Sequence, residues 1–317
     1  MQLNPQVAQV LQMIARARRT PYHTLTPQEA RAAYAMSAPI LDVAPLPMAR
    51  VEDLPVPMRD GGSIRVRAYY PIEPNWAEPL GALMYLHGGG FTVGSIETHD
   101  ALCRKFAHDV CCAVVSVDYR LAPEHKFPVA VNDAFDALQW LAREASTLGI
   151  DPARIAIGGD SAGGTLATVC SVLARDAGIA LQLQMLIYPG TSAWQRSESH
   201  ARLAEGYLLS AETIQWFFEQ YVRDERDRDD WRFAPLDAAG GQPDYRGVAP
   251  MWIAAADHDP LYDEDIAYAE KLSAQGVSVE LMRYEGMIHE FFKMGGFVRD
   301  VARAHADAVA ALRKALG

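Results

Sequence analysis

An α/β architecture built on a mostly parallel sheet is what this amino-acid sequence predicts, and three observations carry the prediction. From Leu80 onward, short apolar runs of strand length alternate with segments whose apolar residues recur every three or four positions. Before that, Val51 to Met58 and Ile64 to Tyr70 flank Asp60-Gly61-Gly62, a hairpin signature that belongs at the edge of a sheet. Finally, Arg154-Ile155-Ala156-Ile157-Gly158 leads into Gly159-Asp160-Ser161-Ala162-Gly163 and then into a helix-compatible stretch, Thr165 to Ala174. Strand, tight small-residue turn and helix therefore follow one another.

Taken in order, the first fifty residues read as helical and loop-rich. Val7, Val10, Leu11 and Ile14 fall at helical spacing, and the segment ends in Pro45 and Pro47. After the hairpin come the strand candidates Ala82 to Leu86, Ala113 to Val117, Arg154 to Gly158, Gln182 to Tyr188, Met251 to Ala256 and Val279 to Tyr284. Helix candidates such as Val129 to Ala145 and Ile266 to Ala274 lie between them, which places helices on both faces of the sheet. Between Thr191 and Asp230 the alternation stops. An aromatic helical stretch, Thr213 to Tyr221, and a charged run, Arg223 to Asp230, occupy this interval. The interval reads as an insertion above the sheet, with the charged run as a solvated helix end. The organisation expected is one catalytic domain with a partial cover: 1–50 an N-terminal helical cap segment, 51–190 the first part of the core, 191–230 a cap insertion, and 231–317 the second part of the core.

Composition narrows the class. With 317 residues, half of them hydrophobic, the chain has enough apolar residues to bury a large core and fits one sizeable domain with a smaller appendage. A net charge of −11 argues against a basic face for nucleic acid or anionic membranes. No run of about 18 uncharged apolar residues exists, so no membrane span is expected. Arg16, Arg18 and Arg19 follow the first apolar stretch instead of preceding it, which is the wrong order for a secretory signal. Cys103, Cys111, Cys112 and Cys170 lack metal-ligand spacing and are expected as reduced core residues of a cytoplasmic protein.

The chemistry concentrates on Ser161. In Gly-x-Ser-x-Gly the flanking glycines let the chain bend sharply and lift one hydroxyl into a cleft, making Ser161 the candidate nucleophile. A serine nucleophile needs a base, an acid to orient that base, and donors for the oxyanion. His87-Gly88-Gly89-Gly90 follows a buried strand, and main-chain N–H groups of Gly88, Gly89 and Gly90, with that of Ala162, are the candidate oxyanion donors. His87 itself is better placed to brace the loop than to act as base. Among the late histidines His258, His289 and His305, His289 follows the last strand and the turn Glu285-Gly286-Met287, so it is the candidate base. Asp259, just past the strand Met251 to Ala256, is the candidate acid, with Asp257 as the runner-up. Asp263, Glu264 and Asp265 suit the first turn of a helix, where its dipole favours negative charge. No metal and no organic cofactor is required.

Together, His87-Gly88-Gly89-Gly90-Phe91, Gly159-Asp160-Ser161-Ala162-Gly163-Gly164, Asp259-Pro260-Leu261 and Ile288-His289 resemble the hormone-sensitive lipase-like (bacterial family IV) carboxylesterases of the α/β-hydrolase superfamily. The resemblance runs from about Met48 to the end and includes Gly94 to Asp100 and Asp118 to His125. Glu290 stands where many relatives carry glycine, which leaves the catalytic pattern intact and bears on the local loop. The likeness implies an α/β-hydrolase fold with an eight-stranded sheet and a helical cap, and hydrolysis of short- to medium-chain esters through an acyl-enzyme. Phe91, Asp160 and Trp216 are the expected substrate-binding residues, although plain helix packing explains Trp216, Phe217 and Phe218 equally well. The partner implied is a small-molecule ester, and a homodimer is an expectation from kinship alone. A non-catalytic ligand receptor is the competing class, disfavoured by the presence of Ser161, Asp259 and His289 together.

Overall fold

The computed structural model describes residues 2–317. In chain order the elements are α1 (Pro5–Arg16), α2 (Pro27–Leu41), β1 (Arg50–Pro57), β2 (Ser63–Tyr70), β3 (Leu80–Leu86), α3 (Asp100–Val110), β4 (Ala113–Asp118), α4 (Val129–Glu144), β5 (Ile150–Asp160), α5 (Ala162–Asp176), β6 (Gln184–Ile187), α6 (Glu198–Arg202), α7 (Ala211–Tyr221), β7 (Met251–Ala256), α8 (Tyr262–Ala274), β8 (Val279–Tyr284) and α9 (Val301–Leu316). The eight strands form one sheet in the order β1-β2-β4-β3-β5-β6-β7-β8, and β2 alone runs against the others. This is the α/β-hydrolase sheet that the sequence led us to expect.

The strand sequences explain where each strand lies. Pro55 and Pro57 cannot donate to a ladder, which confines β1 to the edge it occupies, while β3, β4 and β7 are buried along nearly their whole length and sit inside. Alternate residues of each inner strand feed opposite faces. Ala82, Met84 and Leu86 join a core with α4, α5 and α8, whereas Leu83 and Tyr85 join a second core with α1, α3 and α9. Burying each such aliphatic or aromatic side chain stabilises the fold by about 1.5–3 kcal/mol. Helix α5, buried along nearly its whole length, lies against the sheet with α4 packed beside it.

The chain order creates a crevice. β3 lies between β4 and β5, so the connections leaving β3 and β4 depart to opposite sides of it, and the crevice opens beyond the carboxyl ends of β3 and β5. His87-Gly88-Gly89-Gly90 and Ser161 are carried there. Above it lie α1, α2 and the segment between β6 and β7; Ala30 and Tyr34 of α2 and Leu209, Ile214, Trp216 and Phe217 of that segment join Val93 and Leu261, from the loops after β3 and β7, in a third, smaller apolar cluster.

Several details differ from the sequence expectation. The sheet resumes only at Met251, so the segment following β6 extends past Asp230. The charged run is not a solvated helix end: it forms a short 3₁₀ turn in which Asp227 and Arg228 are buried. The Arg228 guanidinium stacks 4.4 Å from the Trp194 ring and donates to Ala193 O, because a flat, weakly hydrated cation is readily buried against aromatic faces. Cys103, Cys112 and Cys170 are buried free thiols, but Cys111 is exposed at the left-handed C-cap of α3. Among the described residues no helix is long and apolar enough to cross a membrane.

Two carboxylates on the buried side of α4 bind the periphery to the core. Asp133 accepts from the Arg120 main-chain N–H (3.0 Å), Nε (2.9 Å) and Nη2 (2.6 Å), and Asp136 accepts from Arg59. Asp133 is fully buried, while Arg120 keeps some exposure and a second partner in Asp60. Replacing Asp133 by Ala is therefore expected to destabilise the protein by about 3 kcal/mol, toward the lower end for breaking a buried pair. Urea denaturation measures this, with Asp244→Ala, which removes an exposed carboxylate, leaving the midpoint near that of the wild type.

Candidate active site

Ser161 sits between β5 and α5 with φ 53° and ψ −122°, a backbone conformation that a residue with a Cβ adopts at a cost of about 1–3 kcal/mol. Close packing holds the turn there. A Cβ on Gly163 would lie 1.9 Å from Leu86 O, and one on Gly159 would lie 2.4 Å from the same oxygen, so α5 approaches the end of β3 only because both positions lack a side chain. The Ser161 N–H donates to Ile187 O at 2.8 Å, leaving the hydroxyl directed out of the turn.

Asp259, His289 and Ser161 are brought together. His289 Nδ1 is 2.5 Å from Asp259 Oδ2, and His289 Nε2 is 2.9 Å from Ser161 Oγ. With its Nδ1–H donated to the carboxylate, the imidazole presents a bare Nε2 that accepts from the serine hydroxyl. The second Asp259 oxygen accepts from the Leu261 N–H at 2.9 Å, so the turn after β7 aims the carboxylate. Burial pulls the His289 imidazole down, but the attraction of Asp259, the hydrogen bond to it, and the charges of Glu290 and Asp160 together outweigh burial and raise it above 6.5.

The other candidates have structural employment. Asp257 Oδ1 pairs with His258 Nδ1 at 2.6 Å and accepts from the Gly286 N–H at 2.7 Å, tying the ends of β7 and β8 together. His305 bonds to Phe292 O under α9. Pro260 precedes the first turn of α8 without forming part of it, and Asp263, Glu264 and Asp265 do occupy that turn.

Beyond β3, the N–H groups of Gly89, Gly90 and Ala162 have no acceptor among the described residues, and all three residues line the cavity that contains Ser161. Gly88 is a correction to the expected donor set: its N–H is already given to Asp160 Oδ1 at 3.0 Å. Asp160 is likewise not a substrate-binding residue. It is buried beneath the turn, accepting from Gly88 and from Tyr85 Oη at 2.7 Å with His99 Nε2 at 3.3 Å, and it does not line the cavity. Burial would raise this carboxyl, but His99, Lys293 and Tyr85 hold it well below the ordinary carboxylate range. His87 does brace the loop. It stacks on Tyr119 with centroids 4.2 Å apart, and burial lowers its imidazole to about 3.

Phe91 lines the cavity and stacks on Tyr221 at 4.0 Å. Trp216 does not line it. Phe217 does, lying so close over Gly90 that a Cβ there would sit 2.2 Å from the ring. Helical periodicity puts adjacent aromatics about 100° apart but does not say which of them faces the cavity. The sequence reading also missed Tyr34, Lys293 and His200 as wall residues, since each comes from an element whose contacts are decided only in three dimensions. Glu290 adopts left-handed φ 64°, ψ 10°, which accounts for a loop that glycine would suit.

Burial pushes one acidic wall residue toward its neutral form. Glu264 is buried, accepts from the Thr191 N–H at 2.8 Å and lies 3.6 Å from His200 Nε2. Burial, with Asp237 and Asp259 nearby, raises its carboxyl from 4.5 to about 8, while burial lowers His200. An acid raised in the folded state contributes stability that is complete below 4.5 and is lost as pH rises toward about 8. The Glu264→Gln variant, which keeps an acceptor for Thr191, is therefore expected to gain stability relative to the wild type across that window, by up to about 1.4 kcal/mol per pH unit. Urea denaturation at pH 5 and pH 8 checks the sign: a gap between the two proteins that does not widen with pH contradicts it.

Comparison with known proteins follows the same outline. The Abhydrolase_3 family, described as alpha/beta hydrolase fold, matches residues 83–293. The chain is 39% identical over 322 residues to an ethyl acetate hydrolase of Pseudomonas putida, with 100% of both chains covered. It is 40% identical to the carboxylesterase NlhH of Mycobacterium tuberculosis over 272 residues, 86% of this chain and 84% of that one. The solved hyperthermophilic esterase from the archaeon Pyrobaculum calidifontis superposes with a TM-score of 0.92 at 37% identity, covering 99% of each chain.

Proposed function

Because this chain belongs to the Abhydrolase_3 family, in its hormone-sensitive lipase-like branch, and is a carboxylesterase, we propose that it cleaves short- to medium-chain esters through an acyl-enzyme on Ser161. The observation that carries the proposal is the unbroken hydrogen-bonded chain from Asp259 through His289 to Ser161, at 2.5 and 2.9 Å, ending in a cavity with three unbonded main-chain N–H groups.

In the first half-reaction Ser161 Oγ attacks the acyl carbon while His289 Nε2 takes its proton. The N–H groups of Gly89, Gly90 and Ala162 receive the negative charge that develops on the carbonyl oxygen, the last of them aided by the amino end of α5. Deleting one such donor typically raises the barrier by about 3–4 kcal/mol. The imidazolium, stabilised by Asp259, returns the proton to the departing alkoxide, and the alcohol leaves. Water then attacks the acyl-enzyme with His289 again as base, releasing the carboxylic acid and restoring Ser161. Asp160 acts through the loop it holds, fixing Gly88 so that the next two N–H groups face the reacting carbon. Helices α1, α2 and α7 serve as the cap: Ile14, Tyr34, Ile214 and Phe217 close the cavity from above.

The reading is tested with p-nitrophenyl esters of increasing acyl length. The wild type is expected to turn over the butyrate ester, with kcat/KM falling beyond roughly eight to ten acyl carbons as the chain outgrows the pocket. Ser161→Ala is expected to lose this activity with an unchanged melting temperature, and full activity in that variant refutes the nucleophile. The pH profile supplies a second check. Below its pKa the His289 imidazolium accepts no proton, so kcat/KM is expected to fall toward acid pH along a limb centred above 6.5. Asp259→Asn is expected to move that limb downward and to lower kcat by roughly 10³- to 10⁴-fold. An unshifted limb contradicts the assigned role of Asp259.

A further inference from the structure

One wall of the Ser161 cavity carries hydrogen-bond donors that no acceptor within bonding distance among the described residues takes up. Lys293, at the end of the turn Phe291–Lys293 that follows His289, is 3% exposed. Its ammonium donates to Tyr34 Oη, from α2, and lies 4.5 Å from the centroid of that ring. Since the phenol oxygen accepts this bond, its own O–H remains to be donated, and no oxygen among the described residues takes it. Two further Lys293 N–H groups are also unassigned. The carboxylate within 4 Å is that of Glu290, whose Oε2 is 3.8 Å from Nζ, outside hydrogen-bond distance. Tyr34, Glu290 and Lys293 all line the same cavity as Ser161 and His289.

Around Leu209, Ile214, Phe217 and Phe233 the cavity wall is apolar, so the donor-rich corner is local. Glu290 balances the Lys293 charge, which makes the corner a poor match for a second anion and a good one for a neutral oxygen. We infer that Tyr34 and Lys293 form a specificity subsite for an uncharged acceptor oxygen, that of an ether, hydroxyl or carbonyl group, which the ester substrate carries away from its scissile carboxyl. The inference rests on the reading of Ser161 as the ester-cleaving nucleophile. An all-alkyl ester seated there buries donors it does not satisfy, and a site built for hydrogen bonding discriminates strongly against such an analogue.

The test uses two nearly isosteric ester pairs. One carries the oxygen in the acyl part (p-nitrophenyl 3-methoxypropanoate against pentanoate), the other in the alcohol part (2-methoxyethyl butanoate against butyl butanoate). Each kcat/KM is divided by the hydroxide-catalysed rate of the same ester. In the wild-type protein at least one pair is expected to favour the oxygen-bearing ester by about tenfold or more. That ratio is expected to fall toward one in Lys293→Met and in Tyr34→Phe, with thermal melting verifying that each is folded. Tyr34→Phe keeps the ring and removes only the hydroxyl, so it carries the test if the lysine variant does not fold. Ratios near one for both pairs in the wild type overturn the inference, as does a preference that survives the substitutions. Failure to hydrolyse any of the four esters instead overturns the reading of Ser161 and is recognised separately.

Discussion

The contact on which the rest of this structure depends is the approach of the first turn of α5 to the end of β3. With Leu86 O less than 3 Å from where Cβ atoms on Gly159 and Gly163 would be, the two segments lock together and Ser161 is held in a backbone conformation it would not choose alone. That lock sets the height of the serine hydroxyl above the sheet. It also places the Ala162 N–H beside the loop after β3, so one close packing event positions both the hydroxyl and the free N–H groups that share its cavity. The local strain is sustained by the cores on both faces of the sheet, whose burial energy exceeds it many times over.

A buried polar network carries the same constraint one layer deeper. Asp160 is the residue before the serine, yet its side chain points down, where it collects the Gly88 N–H, the Tyr85 hydroxyl and His99. A carboxylate so buried is tolerable because each interaction favours its charged form. The geometry joins the turn after β5 to the loop after β3 through one side chain. His87 and Tyr119 extend the support by stacking, and the Tyr119 hydroxyl donates to His87 O at 2.7 Å. A sequence position adjacent to a nucleophile thus serves the scaffold rather than the ligand.

The cavity is also divided chemically. Its apolar portion comes from α7 and the segments flanking it, and its donor-rich portion from α2 and the turn after His289. Glu264 and His200, both pushed by burial toward their neutral forms, add a third polar area. The protein is strongly acidic overall, but the immediate surroundings of Ser161 are not, because buried carboxylates are either paired or protonated.

Much of this was legible in the residues. Alternating strand and helix patterns, the prolines of β1 and the glycines around Ser161 are local signals, since strand period, edge placement and tight turns depend on neighbours in the chain. The identities of Ser161, His289 and Asp259 as candidates were legible too, because each follows a strand and their order along the chain is constrained. What the sequence could not convey was which groups already have partners. That the Gly88 N–H is spent on Asp160, that Phe217 rather than Trp216 reaches the cavity, and that Lys293 meets Tyr34 across 259 residues are facts of tertiary packing. The sequence by itself determined the sheet, the turn and the reactive residue types, since these follow from short-range sterics and periodicity. Only the folded structure decided which donors are satisfied, which face the cavity and which remain free, because hydrogen-bond partnership depends on distances between segments remote along the chain.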